Sequence, residues 1–221
     1  LAPLSSRRPM LLAWMASNCI RDRFTAFKDL AHHLPPKQVA VFGNCGSQSG
    51  YGRNFPCKGL GSYGFAEIRL DKSNEAYECM VKHWGQFKFY FAAENARCDG
   101  YITEKLQRAY VYGMVPVVVS GLSRKDTEAI APADSFIHVD DFNSAKALAD
   151  HLMALDRDDV AYQRYFTWRK RGDAFFDMVS TYSNGYCELC HRLHAGDSAP
   201  KSALRNHDVK HWWLTDACRR Y

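Results

Sequence analysis

The chain has 221 residues and a mass of 25.2 kDa, enough for one large domain or one domain with an appendage. Hydrophobic residues make up 47%, aromatics 14% and charged residues 24%, which excludes a disordered tail, a collagen-like fibre and a low-complexity linker. A formal charge of +5 and a pI near 8.7 suit an anionic ligand but fall short of a nucleic-acid binder's signature.

Residues 1–9 read as a polar, proline-containing leader. The apolar run 10–16 predicts a buried strand ending at Ser17-Asn18. A helix is predicted over 23–34, where Phe24, Phe27, Leu30, Ala31 and Leu34 share one face. Pro35-Pro36 stops it, and 38–42 reads as a second strand closing on Gly43. The glycine-rich stretch 43–64 is predicted to be a long loop, functional or held by disulfides. A helix over 73–84, a strand over 87–93, a Thr103-capped helix running to Tyr112 and stopped by Gly113, and a strand over 115–119 form a second βαβ unit. Beyond it the pattern predicts a strand over 136–139 and helices over 145–155, 160–169 and 173–194. Strands alternating with helices predict an α/β fold, a doubly wound Rossmann-like parallel sheet. Residues 1–172 form that domain, and 173–221 form a helical, cysteine-containing C-terminal segment.

No run of about eighteen apolar residues is present, so this stretch does not cross a membrane as a helix. The first residue is Leu rather than Met, which leads to the expectation of an upstream region. Eight cysteines stand at 19, 45, 57, 79, 98, 187, 190 and 218. An even count, with several beside turn residues, points to disulfides and an oxidising compartment, against the alternative of buried reduced thiols.

Ligands of an open parallel sheet bind beyond the carboxyl ends of its strands. Two loops qualify here, 17–23 and 94–105, and both open on one rim. Arg23 and Lys105 fall in first helical turns, where peptide dipoles already favour an anion, so a phosphate or diphosphate between them would relieve the conflict. The alternative is a pair of solvated helix cations. Glu94 and Asn95 end a hydrophobic strand. A carboxylate there is either a sugar-binding group or a buried acid held by backbone N–H groups, and both readings stay open. Tyr90 and Tyr101 read as core by default, or as ligand-facing.

The segment FKFYFAAENARCDGYITEK, residues 87–105, followed by PVVV, resembles the signature of the GDP-fucose-dependent α1,3-fucosyltransferases, glycosyltransferase family 10. AWMASNC (13–19), FGNCG (42–46), APADSFIHVDDF (131–142) and YFTWR (165–169) are similar to family segments in the family's order. Cys187-x-x-Cys190 and Trp212-Trp213 fit its C-terminal end. Two positions depart from the pattern: Ala93 stands where the family usually has Phe, and Gly100, preceded by Asp99, where it usually has Asp directly before the Tyr-Ile-Thr-Glu-Lys run.

This resemblance implies the donor-binding half of a two-domain GT-B architecture, with an acceptor domain, its general base and a membrane anchor expected upstream. It implies inverting transfer of fucose from GDP-β-L-fucose to a GlcNAc hydroxyl of a glycan or glycoprotein acceptor, in the Golgi lumen. Core-type acceptors are suggested more than Lewis-type ones by the cysteine pattern. Arg23 and Lys105 would neutralise the diphosphate, with Arg21 an alternative to Arg23. Tyr101 and Glu104 would hold phosphate, ribose or fucose hydroxyls, and Tyr90, Glu94 and Asn95 would shape the donor pocket. No cofactor and no metal is implied, a divalent cation being at most stimulatory. The D-x-D tripeptide Asp156-Arg157-Asp158 reads as a capped, solvated turn, and Asp140-Asp141 as a strand-end turn.

Two other readings are a non-catalytic nucleotide-sugar-binding fragment and a zinc module built on Cys187, Cys190, His207 and His211. The gap between those pairs is longer than a zinc finger's and no ββα pattern surrounds it. Nucleic acid is not an expected partner. A bridge between Cys187 and Cys190 would constrain little, so each is expected to pair elsewhere. Cys218 or cysteines upstream of the chain are the candidates. A bridge within Cys45, Cys57 and Cys79 is expected to pin the glycine-rich loop, with Cys57–Cys79 preferred.

Overall fold

The first apolar run forms strand β1 (Met10–Met15), and helix α1 (Arg21–His32) follows. The computed structural model describes residues 8–19, 21–57, 75–172, 187, 190, 191, 193, 194, 218 and 219. A 3-10 turn, Pro36–Gln38, leads into β2 (Val39–Phe42). A short helix, α2 (Gly46–Ser49), interrupts the stretch expected to be irregular. Next come α3 (Glu75–Trp84), β3 (Phe87–Ala93), β4 (Arg97–Cys98), α4 (Glu104–Val111) and β5 (Val115–Val119). The rest comprises α5 (Arg124–Glu128), β6 (Ile137–His138), α6 (Ala145–Arg157), α7 (Asp159–Arg164), α8 (Trp168–Arg171) and β7 (Cys218–Arg219).

Residues 160–169, expected as one helix, are split between α7 and α8. Between them Tyr165, Phe166 and Thr167 donate to the carbonyls three residues back, which tightens the chain out of α-helical register. Of the helix expected over 173–194, the described positions 187, 190, 191, 193 and 194 are helical and the rest lies outside the described residues.

Five strands make one parallel sheet in the order β2-β1-β3-β5-β6. The chain moves outward from β1 to β2, then returns to the other side of β1 for β3. The reversal opens a crevice between the exits of β1 and β3, the place where open α/β sheets bind ligands.

Alternating residues of the strands divide between two covers. Trp14, Val41, Phe89, Phe91 and Val117 pack with Phe27 and Leu30 of α1, Leu148 and Leu152 of α6 and Tyr162 of α7. Ala13, Ala40, Phe42, Tyr90 and Ala92 pack the other way, with Met80 and Trp84 of α3 and Ala109 of α4. Helices on both faces explain why β3 is buried at every position, Lys88 included. The Lys88 ammonium pairs with the Asp156 carboxylate at 2.9 Å and donates to the Asp156 carbonyl oxygen at 2.8 Å. Asp158 accepts the backbone N–H groups of Val160 and Ala161 and so caps α7. Both carboxylates of the D-x-D tripeptide therefore have structural partners. They lie near the start of β3, away from the rim where it ends.

Three disulfides join described cysteines: Cys19–Cys45, Cys57–Cys79 and Cys98–Cys218. The first was not foreseen. It forms because the exits of β1 and β2 are laced together, Ala16 N–H donating to Phe42 O and Cys45 N–H to Ala16 O. The expected pairing of Cys218 with Cys187 or Cys190 is corrected. Strand β7 lies antiparallel to β4 and sets Cys218 opposite Cys98, while Cys187 and Cys190 are free and exposed.

Candidate functional site

At the crevice, three consecutive residues at the end of β3 hold two cations. The Arg23 guanidinium donates to the Ala93 carbonyl at 3.3 Å and to Asn95 Oδ1 at 2.6 Å, and also to the Asn18 carbonyl beyond β1. Between them in sequence, Glu94 accepts the Lys105 ammonium at 2.8 Å. Arg23 thus bridges both sides of the crevice from the first turn of α1. Packing on Trp14, 5.6 Å from guanidinium carbon to ring centroid, and 2% exposure make it an internal strut as well as a cation. Arg21 opens α1, but its side chain is outside the described residues.

Glu94 is fully buried. Besides Lys105 it accepts the Thr103 N–H at 2.8 Å and the Thr103 hydroxyl at 2.7 Å. It therefore clasps the two ends of the 95–102 loop. Of the two meanings open from sequence, the structure shows a buried acid held by a backbone N–H, a hydroxyl and an ammonium. Thr103 is the N-cap of α4, but its hydroxyl serves Glu94 and accepts from Lys105 at 2.7 Å, so it does not cap the helix amides.

The Glu104 carboxylate lies 3.3 Å from the Lys105 ammonium. Burial alone would lower the lysine's pKa. The Glu94 carboxylate and then Glu104 more than offset this, and hold the ammonium above its ordinary value. One turn on, Arg108 is buried and donates to the Tyr90 hydroxyl at 2.8 Å. Burial lowers its pKa, and its surroundings, Tyr90 and Glu104 foremost, raise it further than burial lowers it. Burial raises the Tyr101 hydroxyl above its ordinary pKa, keeping it a neutral donor.

Arg23, Glu94, Asn95, Glu104 and Lys105 are thus brought together, with half-buried Tyr101 on the returning arm of the loop. Tyr90 stands apart: it lies inside the sheet on the α4 side, bonded to Arg108. Arg108 was missed. In sequence it is one more cation on a helix, and only the closeness of β3 reveals its burial. Among the described residues no group of three or more His, Cys, Asp or Glu could hold a metal ion. His207 and His211 lie outside them.

The family model for the C-terminal part of glycosyltransferase family 10 (fucosyltransferase) matches residues 5–212. The chain belongs to glycosyltransferase family 10. Mouse alpha-(1,3)-fucosyltransferase 4 is 34% identical over 96% of this chain and 42% of its own length. The fruit-fly glycoprotein 3-alpha-L-fucosyltransferase A is 32% identical over 91% of this chain and 34% of its own. The chain therefore spans less than half of these relatives. A crystal structure of an alpha1,3-fucosyltransferase with GDP-fucose has 22% identity and a TM-score of 0.49, covering 71% of this chain and 38% of that one.

Proposed function

We propose that this family 10 chain supplies the donor site of an α1,3-fucosyltransferase. In this reading GDP-β-L-fucose is the donor, a GlcNAc hydroxyl of a glycan the acceptor, and the transfer inverts the anomeric centre. The observation that carries it is the placement of Arg23 and Lys105 on either side of the β3 exit, at the strand-order reversal.

Fucosyl transfer leaves GDP with growing negative charge while the sugar carbon gains oxocarbenium character. A fixed cation beside the leaving oxygen stabilises that charge. Lys105 can turn toward a diphosphate because Glu94 would still keep two donors from Thr103. Arg23 holds Asn95, the end of β3 at Ala93 and the Asn18 backbone beyond β1, and so sets the crevice width. Asn95, Tyr101 and Glu104 offer a carboxamide, a neutral hydroxyl and a carboxylate to the hydroxyls of ribose or fucose. Inversion also needs a base opposite the leaving group. Glu94 is unsuited to that role, being enclosed by three donors.

The reading places the chain as one half of a two-domain GT-B enzyme in the Golgi lumen, needing no metal. Among the described residues no helix is long and apolar enough to cross a membrane. Titration calorimetry of GDP into the chain tests the site. Lys105→Ala should weaken binding by about 1–3 kcal/mol, and Arg23→Ala by at least as much. Equal affinity in wild type and both variants removes the assignment.

A further inference from the structure

The motif IHVDDF, residues 137–142, takes no part in the cation pair of the crevice, yet it reaches the loop beside it. Glu94 clasps that loop only at its two ends. In between, the chain makes an excursion sideways along the rim, over the exit of β5 toward that of β6. Asn95 lies on the outgoing arm. The return runs through a turn in which Tyr101 N–H donates to Cys98 O at 3.1 Å, with Gly100 at φ +74°. That conformation suits glycine.

The far end of the excursion is anchored by Arg97. Its Nε donates to the Ser120 carbonyl at 2.9 Å, and its Nη2 reaches both oxygens of Asp140 at 2.7 and 2.5 Å. Asp140 is itself fixed. Its backbone N–H donates to His138 Nδ1 at 3.2 Å, and the fully buried His138 meets the Leu122 carbonyl through Nε2 at 3.0 Å. With Nδ1 accepting, the proton sits on Nε2. The exits of β5 and β6 are thereby joined into one ledge. The loop rests directly on it, since a Cβ added to Gly121 would stand 2.4 Å from the Cys98 backbone nitrogen.

We propose that Arg97 and Asp140 are positioning residues for the donor site, together setting the loop so that Asn95 and Tyr101 face the crevice. This rests on the donor-site reading above. The pair is partly open to water, with 24% and 50% side-chain exposure. Ion pairs so exposed contribute little to global stability. Their value here is local: beside the Cys98–Cys218 bridge, the guanidinium spans the Ser120 carbonyl and Asp140 and ties the middle of an excursion that Glu94 holds only at its ends to the ledge.

The test uses Asp140→Asn, Arg97→Lys and the double variant Arg97→Gln/Asp140→Asn in the full chain. Each single change should weaken GDP about tenfold or more with Tm nearly unchanged, since small displacements of positioned groups are expensive. Lys keeps the charge but loses the fork, so Arg97→Lys should not rescue. The double variant should be no weaker than the worse single change. Amide hydrogen exchange over 95–103 in the unliganded chain should quicken in every variant. GDP affinity like wild type, or unchanged exchange across that loop, overturns the proposal. A wild-type chain that fails to bind GDP would sink the donor-site reading instead, and the exchange measurement would still decide whether the clamp exists.

Discussion

His83 shows how far a single residue's surroundings can move its chemistry. It sits on α3 against Phe42 at 4.8 Å and Phe55 at 4.9 Å between ring centroids, with a buried Nε2 that has no hydrogen-bond partner among the described residues. Burial lowers its pKa to about 4 from 6.5. The unfolded chain therefore takes up a proton at a pH where the native state refuses it, so the stability this neutral imidazole contributes is present above pH 6.5 and lost as pH falls toward 4. Melting followed from pH 7.5 to pH 4.5 should show Tm falling, and His83→Phe should flatten that dependence. An equal slope in the variant would show that other groups carry it. The same dependence on surroundings limits what sequence discloses of the site. Arg23 and Lys105 were legible because they follow strands in a rim loop. Glu94 was ambiguous because its role turns on the Thr103 amide and hydroxyl, nine residues away. Arg108 was illegible, since nothing in a helical pattern says that β3 would bring Tyr90 to it.

At the level of elements, the parallel strands could be read because each is a short apolar run ending at a turn signal. Helices α2 and α5 were not anticipated. At four and five residues they are too short to show a period. Strand β6 pairs over fewer residues than its apolar run suggested, because Val139–Asp141 winds into a 3-10 turn. One interaction between elements makes an asymmetric prediction. The α6–α7 junction is pinned to β3 by Lys88 and Asp156, with the lysine fully enclosed and the carboxylate 29% exposed. Asp156→Ala should cost about 3 kcal/mol in denaturant unfolding, by stranding a buried ammonium. Lys88→Met should cost far less, because the carboxylate left behind can hydrate. Equal losses from the two would mean that the pair matters through packing alone.

For the molecule as a whole, six of the eight cysteines are bonded and two are exposed as thiols. Alkylation without reduction, followed by peptide mass spectrometry, should label Cys187 and Cys190 and recover the 19–45, 57–79 and 98–218 pairs. A 187–218 or 190–218 pair would contradict the arrangement of β7. We further expect the 221-residue chain to bind GDP without appreciable fucosyl transfer, since of the described crevice carboxylates Glu94 is enclosed by the Thr103 donors and Lys105, and Glu104 is assigned to donor hydroxyls. Robust acceptor-dependent turnover would assign the base to one of them. The bridges also differ in when they can form. Two of them close loops of 26 and 22 residues and can arise while the ribosome is still delivering the chain. The third waits 120 residues for Cys218. The 95–102 loop, with Asn95 and Tyr101 on its two arms, is therefore among the last parts to be secured. A nascent chain halted before residue 218 would have its sheet and its first two bridges, but a 95–102 loop that still lacks its covalent tie and rests on contacts such as those of Arg23, Glu94 and Arg97.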